Sequence, residues 1–266
     1  MSALNGKNVL FCRSKNASAA FETAFRSAGA NVAFFEPYRI EFADPTEQQI
    51  SEILGEIDTF DWLLLSSQNG VDALVTALEK LQIDLAILSK IPVGTVGVKA
   101  AKRLIELVPD AEIYAKAANL QSLLSHISKI HPEETVQLMH VTSVQSLENI
   151  APEIPGNVTL QRVPLYQTIA NERFDSDILA KILTGKFDVF VFSSPTSFDY
   201  FQQIIAGNDL LRSTAIAVFG ETTAMHLREN GIDPQIIPDI VSPEELCEST
   251  IDFFEQSSKL EHLSNH

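Results

Sequence analysis

Cysteine is nearly absent from this chain: Cys12 and Cys247 are the only two in 266 residues. Both sit in apolar stretches outside any CxxC or ligand-spaced pattern, so the expectation is two reduced, buried thiols. No run approaches the roughly 18–20 uninterrupted apolar residues that span a bilayer. Met1 to Asn8 has no basic segment ahead of a long apolar one, so no secretory signal is expected either. Positive charge is scarce, with 19 Lys and Arg against 35 Asp and Glu, a formal net charge of −16. Nucleic acid and anionic membrane surfaces both demand a basic face and are excluded as partners. An anionic small molecule is not, because clustered backbone N–H groups attract anions whatever the global charge. No GxxxxGK[ST], GxGxxG or GxSxG occurs. The six histidines, His126, His131, His140, His226, His262 and His266, lack ligand spacing. No metal site and no nucleotide cofactor is expected.

What is present is an alternation of short apolar runs with amphipathic stretches of ten to fifteen residues, the rhythm of parallel α/β sheets covered by helices. Strands are expected at Val9–Arg13 and Asn31–Phe35, with a helix between them over Ala19–Ala28 that Gly29 terminates. Glu36–Ile40 reads as extended chain, since Pro37 restricts the residue before it. Asp44-Pro45-Thr46-Glu47 reads as a capped helix start, repeated as Ser242-Pro243-Glu244-Glu245.

The layout also recurs inside the chain. Phe60-Asp61-Trp62-Leu63-Leu64-Leu65-Ser66-Ser67 parallels Phe187-Asp188-Val189-Phe190-Val191-Phe192-Ser193-Ser194, and each is followed by a helix, Gln68–Leu81 or Pro195–Ile205. Ile91–Gly97 parallels Thr214–Gly220, and the register holds through Ala101/Ala224, Leu104/Leu227, Ile113/Ile236 and Leu123/Leu246. Two copies of strand–helix–strand–helix–strand–helix are expected. The first forms a domain with Val136–Ser143 and Val158–Tyr166, near 41–165. The second lacks leading strands of its own, which the N-terminal strands supply, giving a discontinuous domain of 1–36 and 170–266. The chain then crosses twice, near 37–40 and 164–169, as a two-stranded extended linker. The fold expected is two similar parallel-sheet α/β domains with a cleft between them.

Ligands of parallel sheets bind beyond the carboxyl ends of the strands. Four repeated turns lie there: Ser66-Ser67-Gln68-Asn69-Gly70, Ser193-Ser194-Pro195-Thr196, Gly97-Val98-Lys99 and Gly220-Glu221-Thr222-Thr223. Glycine permits close backbone approach, and each turn exposes the unpaired N–H groups of a helix start. A serine in such a turn serves equally as a plain N-cap. Candidate anion contacts are therefore Arg13, Ser66, Ser67, Asn69, Gly97, Lys99, Ser193, Ser194, Thr196, Gly220, Thr222 and Thr223. Tyr166, in Pro164-Leu165-Tyr166-Gln167-Thr168, is either an aromatic packed at a domain junction or a working hydroxyl.

These motifs, in this order, resemble the uroporphyrinogen-III synthase family over nearly the whole chain: Phe60-Asp61-Trp62 leading to Leu65–Val71, Val96-Gly97 leading to Ala100, Leu165–Thr168, Phe192–Thr196 and Phe219–Ala224. One departure lies in Val136–Ser146, which lacks the Arg and Gly that family members often carry there. The resemblance implies a cytoplasmic lyase of tetrapyrrole (heme) biosynthesis, needing no cofactor and expected to act as a monomer. Its substrate would be hydroxymethylbilane, a linear tetrapyrrole with eight carboxylates, closed to uroporphyrinogen III with inversion of the last ring and loss of water. Tyr166 would then assist departure of the hydroxyl. Two other readings stand beside it: a non-catalytic two-lobed anion binder, and a regulatory member of the same family.

Overall fold

The computed structural model describes residues 2–16, 18–148, 151–206 and 209–264, without the side chains of 258 and 260–264. The ends of the expected domains, Met1 and His266, lie outside them. The chain divides into two compact units, Met1–Arg39 with Ala170–His266, and Ile40–Ile169.

The first unit begins with β1 (Asn8–Cys12), α1 (Ala19–Ser27) and β2 (Asn31–Phe34). Gly29 follows the α1 cap with φ +92°, a left-handed C′ position that an L side chain resists. The chain then enters the second unit through β3 (Tyr38–Phe42). There follow α2 (Gln48–Gly55), β4 (Trp62–Leu65), α3 (Gln68–Lys80), β5 (Val93–Val96), α4 (Gly97–Leu107), β6 (Ile113–Ala117) and α5 (Leu120–Ile130). It leaves through β7 (Val136–Ser143), α6 (Val144–Glu148) and β8 (Val158–Ala170). The first unit resumes with α7 (Ser176–Leu183), β9 (Val189–Phe192), α8 (Pro195–Ile204), α9 (Leu210–Ser213), β10 (Ala215–Val218), α10 (Glu221–Glu229) and α11 (Pro243–Ser264).

The two sheets run β10-β9-β1-β2 and β3-β8-β7-β4-β5-β6. The N-terminal strands do lead the second copy, with β1 beside β9 in parallel register, Val9 opposite Val189. Strand for strand, β10-β9-β1-β2 matches β5-β4-β7-β8. Parallel pairing dominates, and the central strands Trp62–Leu65 and Val189–Phe192 are buried at every position, as sheets covered on both faces require. The edge strand β3 is antiparallel: Ala43 N–H donates to the Leu165 carbonyl and Asn171 N–H to that of Pro37, so numbering falls along one strand as it rises along the other.

Each sheet buries two apolar faces. In the first unit they hold Leu10, Phe190, Phe198 and Phe201 on one side and Val9, Phe11, Phe25 and Val191 on the other. In the second they hold Leu63, Leu65, Val71 and Leu74, and Trp62, Leu64, Leu123 and Leu138. All phenylalanines except Phe42 and Phe60 belong to the first unit.

Two expectations need correction. Asp44 does not cap a helix. Its carboxylate accepts from Thr46 N–H and Oγ1 and from Lys80 Nζ at 2.8 Å, which holds its pKa down to about 2. The helix starts one turn later, at Gln48. By contrast Ser242 Oγ does accept from Glu245 N–H at 3.1 Å at the start of α11. The third strand of the second copy is also reduced: Ile236 makes a single bridge to Ala217 where its counterpart Ile113 opens a five-residue strand.

Candidate active site

In the second unit β4 delivers Ser66 and Ser67 to the start of α3. Ser67 is the N-cap, extended at φ −153° and ψ 159°, and its Oγ accepts from Gly70 N–H at 2.9 Å. That cap leaves the serine hydrogen available, and Ser67 Oγ lies 2.8 Å from Tyr166 Oη. Tyr166 is 9% exposed, and this contact orients its hydroxyl.

Tyr166 arrives there through an irregularity in β8. Thr142 pairs with Pro164, but Ser143 pairs with Tyr166, so β8 carries an extra residue at Leu165. Proline cannot donate to a sheet ladder, and it is tolerated where a strand is bulged or has a neighbour on one side only; Pro164 stands at the bulge, just before β3 begins to pair. The bulge shifts the alternation of faces and brings Tyr166 beside the β4–α3 turn. Pro164 was the available sequence signal.

Ser66 Oγ lies 3.0 Å from His140 Nε2, a contact that spacing along the chain could not reveal. His140 is 3% exposed, and its Nδ1 has no hydrogen-bond partner among the described residues. Burial, with the Arg162 charge nearby, lowers its pKa to about 4, so it is neutral near pH 7. Arg162 stands opposite His140 in the β7–β8 register. Its Nη2 donates to the Ser146 carbonyl. Thus β8 brings a cation to the segment of β7 and α6 that has none of its own.

At the start of α4, Gly97 has φ +70°, and a Cβ built on it would meet nothing within 4 Å. Here glycine answers a conformation rather than a packing constraint, and the backbone lies open to approach. Lys99 is exposed beside it, and Asn69 is half-buried in the first turn of α3.

In the first unit, Ser194 caps α8 and the cap closes on itself. Ser194 Oγ accepts from Ser197 N–H, and Ser197 Oγ accepts from Ser194 N–H, both at 3.2 Å. Ser193 and Thr196 flank it, half-buried. Gly220, with φ 171°, is simply extended, so the turn into α10 does not require glycine. Thr223 points inward with Ala224 and Leu227, 5% exposed, while Thr222 on the outer face is open to solvent. Helical periodicity decides between these neighbours, and the expected side-chain contact from Thr223 is not available at this surface. The Arg13 guanidinium lies 5.0 Å from the Phe219 ring centroid and 5.5 Å from that of Phe21, and these rings stack on each other at 4.6 Å. Burial lowers its pKa, against the opposing influence of Tyr38.

Among the described residues no group of three or more His, Cys, Asp or Glu is placed to hold a metal ion, and no helix is long and apolar enough to cross a membrane. Cys12 and Cys247 are free and buried, and burial pushes both thiols up in pKa.

A sequence profile described as Uroporphyrinogen-III synthase HemD matches residues 40–248. Over 219 residues the chain is 22% identical to a porphyrin biosynthesis protein HemD of Ruminiclostridium josui, covering 82% of this chain and 43% of that longer protein. It is 25% identical over 236 residues to a uroporphyrinogen-III synthase of Synechococcus elongatus, covering 85% and 87%. The fold matches a crystallised mutant uroporphyrinogen III synthase of Thermus thermophilus with TM-score 0.62 at 17% identity, covering 96% of this chain and all of the other. It also matches the Helicobacter pylori uroporphyrinogen-III synthetase with TM-score 0.56 at 15% identity, over 93% and 99%. With the profile matched across more than three quarters of its length, the chain belongs to the uroporphyrinogen-III synthase family.

Proposed function

We propose that this protein is a lyase that closes hydroxymethylbilane to uroporphyrinogen III, inverting the last ring and releasing water. The observation that carries the reading is the family match over residues 40–248. The chemistry of the residues supports it. Loss of the hydroxymethyl oxygen gives a pyrrole-derived cation that forms easily. The difficult part is regiochemical, since the far ring must attack through its substituted carbon to give a spiro intermediate. Holding a flexible substrate in one pose supplies that selectivity, and positioning alone is worth large effective molarities.

The 2.8 Å contact allows Ser67, which accepts from Gly70 N–H, to donate its hydrogen to Tyr166 Oη, and in the proposed mechanism it does so, leaving the Tyr166 proton for the departing oxygen. The N–H groups at the starts of α3, α4, α8 and α10 receive acetate and propionate carboxylates. Ser66, Asn69, Gly97 and Lys99 assist in one unit, and Arg13, Ser193, Ser194, Thr196, Gly220 and Thr222 in the other. No cofactor enters the proposal. The protein is proposed to work in the cytoplasm as a monomer, which sedimentation at working concentration checks.

The test is product isomer analysis. Hydroxymethylbilane is generated in situ, the protein added, and the oxidised porphyrins separated. Predominantly isomer III is expected. Isomer I alone, at the rate seen without protein, would refute the activity and favour a binding role.

A further inference from the structure

We infer that the second unit carries a carboxylate subsite along the uncovered part of β8, where Arg162 receives the acid side chain of a single pyrrole ring. The identity of the ligand rests on the proposed function; the site itself rests on geometry.

Strand β3 pairs with β8 only from Leu165 onward, since Ala43 N–H meets the Leu165 carbonyl. From Val158 to Pro164 β8 therefore has no strand neighbour on that side among the described residues. A cavity of about 480 Å³ occupies this edge, with Ile50 and Ile53 of α2 on one wall, Val144 and Leu147 of α6 on another, and Arg162 and Tyr166 from β8. Its size suits one substituted ring rather than four. Val144 and Leu147 are 37% and 40% exposed, an apolar wall with nothing packed over it among the described residues.

Arg162 stands apart by a buried guanidinium nitrogen that has no partner among the described residues. Arg26, Arg103 and Arg228, by contrast, each engage at least one carboxylate. Arg162 engages none among the described residues: Nη2 donates to the Ser146 carbonyl, and Nε is buried with no partner. Glu47 lines the same cavity, but no ion pair joins it to Arg162. His140 opposite is neutral and supplies no counter-charge. A desolvated, unsatisfied guanidinium N–H is costly, and a carboxylate is the group that satisfies a planar fork of donors. Apolar walls around such a fork select a flat ring bearing an acid over a free inorganic anion.

The test uses a monopyrrole bearing one acetate and one propionate, titrated into the protein while backbone amide shifts are followed. The expected shifts cluster at Ala43, Val144–Leu147 and Gln161–Gln167. Arg162→Gln is expected to weaken binding at least tenfold, to raise KM for hydroxymethylbilane and to increase the share of isomer I; Arg162→Lys retains part of the affinity. Shifts confined to other regions, or equal affinity in Arg162→Gln, overturn the subsite. Competition by acetate or inorganic phosphate at the same concentration as the monopyrrole overturns the pyrrole assignment. Should Arg162→Gln fail to fold, the wild-type shift map and Arg162→Lys decide. Arg162-dependent monopyrrole binding without cyclisation would sink the proposed function and leave the subsite standing. Cyclisation with no such binding would do the reverse.

Discussion

The two Ser-Ser turns are copies in sequence and differ in where their hydrogen bonds go. In the first unit the third helical residue is Ser197, whose hydroxyl reaches back to the Ser194 N–H, so the cap is self-contained. In the second unit that position is Gly70, with no side chain to return. Ser67 accepts from the helix as Ser194 does, but its remaining hydrogen-bonding capacity goes to Tyr166. A second pair of counterparts lies one strand away. Leu64 of β4 faces His140, which faces Arg162; in the matching positions Val191 faces Phe11, which faces Phe34. Phe11 and Phe34 form an aromatic contact with centroids 5.7 Å apart. One copy of the fold closes both nodes with cap and core, while the other leaves a hydroxyl, a neutral imidazole and a guanidinium there. Polar groups kept where a twin unit shows that apolar ones fit are candidates for function rather than stability.

The largest effect is expected at Tyr166. Tyr166→Phe removes the hydroxyl and keeps the ring in its buried place. Formation of isomer III should fall about a hundredfold or more, the range of a lost general acid. Stability should change by only about 1 kcal/mol, the net value of one hydrogen bond. Full activity and an unchanged isomer ratio in this variant would remove Tyr166 from the mechanism and leave it a packing residue.

His140→Phe copies the first unit's node and should change the pH dependence of stability. The folded pKa is about 4, below the ordinary 6.5, so the folded protein holds His140 neutral where the unfolded chain is already protonated. Between about pH 6.5 and about pH 4 the unfolded state binds the extra proton, and stability falls as pH falls, by roughly 3 kcal/mol across the window. Below it the contribution levels off. Denaturant unfolding at pH 7 and pH 5 should show a steeper loss in wild type than in His140→Phe. Equal slopes would mean that His140 titrates normally and is not desolvated by this sheet.

The sequence makes much of this comparison legible. The continuous apolar runs Trp62–Leu65 and Val189–Phe192 announce buried parallel strands, and the paired Ser-Ser and Gly turns mark the strand ends. The borrowing of β1 and β2 follows from the second copy having no leading strands. Cross-strand register is not legible. His140 lies 74 residues from Ser66, and only the β4–β7 and β7–β8 alignments bring Ser66, His140 and Arg162 into one group. The same holds for Tyr166: Pro164 signals a disruption, but a one-residue slip reverses every face beyond it, and the direction of the slip is a property of the ladder. Nor does local sequence distinguish Thr222 from Thr223 until the phase of α10 is known.

The paired caps offer a smaller and more selective test. Ser67→Ala and Ser194→Ala each remove an N-cap acceptor and should each cost about 1 kcal/mol in thermal or denaturant unfolding. Only Ser67→Ala also releases Tyr166, so only it should lower kcat, by about tenfold, with little change in KM. If both variants lose the same activity in proportion to stability, the two turns are equivalent and the contrast between the units is only architectural.

The finest test grafts one cap onto the other. Gly70→Ser gives the second unit the residue that closes the first unit's box. A Cβ at Gly70 would stand 3.2 Å from Ser67 Oγ, 3.5 Å from Val141 Cγ1 and 3.6 Å from Tyr166 Cε1. The first of these contacts is tight, and the atom that must give way is the one bonded to Tyr166. Replacing glycine inside a helix gains up to about 1 kcal/mol, so the fold should hold. The new hydroxyl should draw Ser67 into a self-contained cap and turn it from Tyr166, lowering kcat severalfold at nearly constant melting temperature. Adding Ser67→Ala should then cause no further loss of activity, because the contact it removes is already broken. A further tenfold fall in the double variant would show instead that Ser67 acts without Tyr166, and that the two hydroxyls contribute separately.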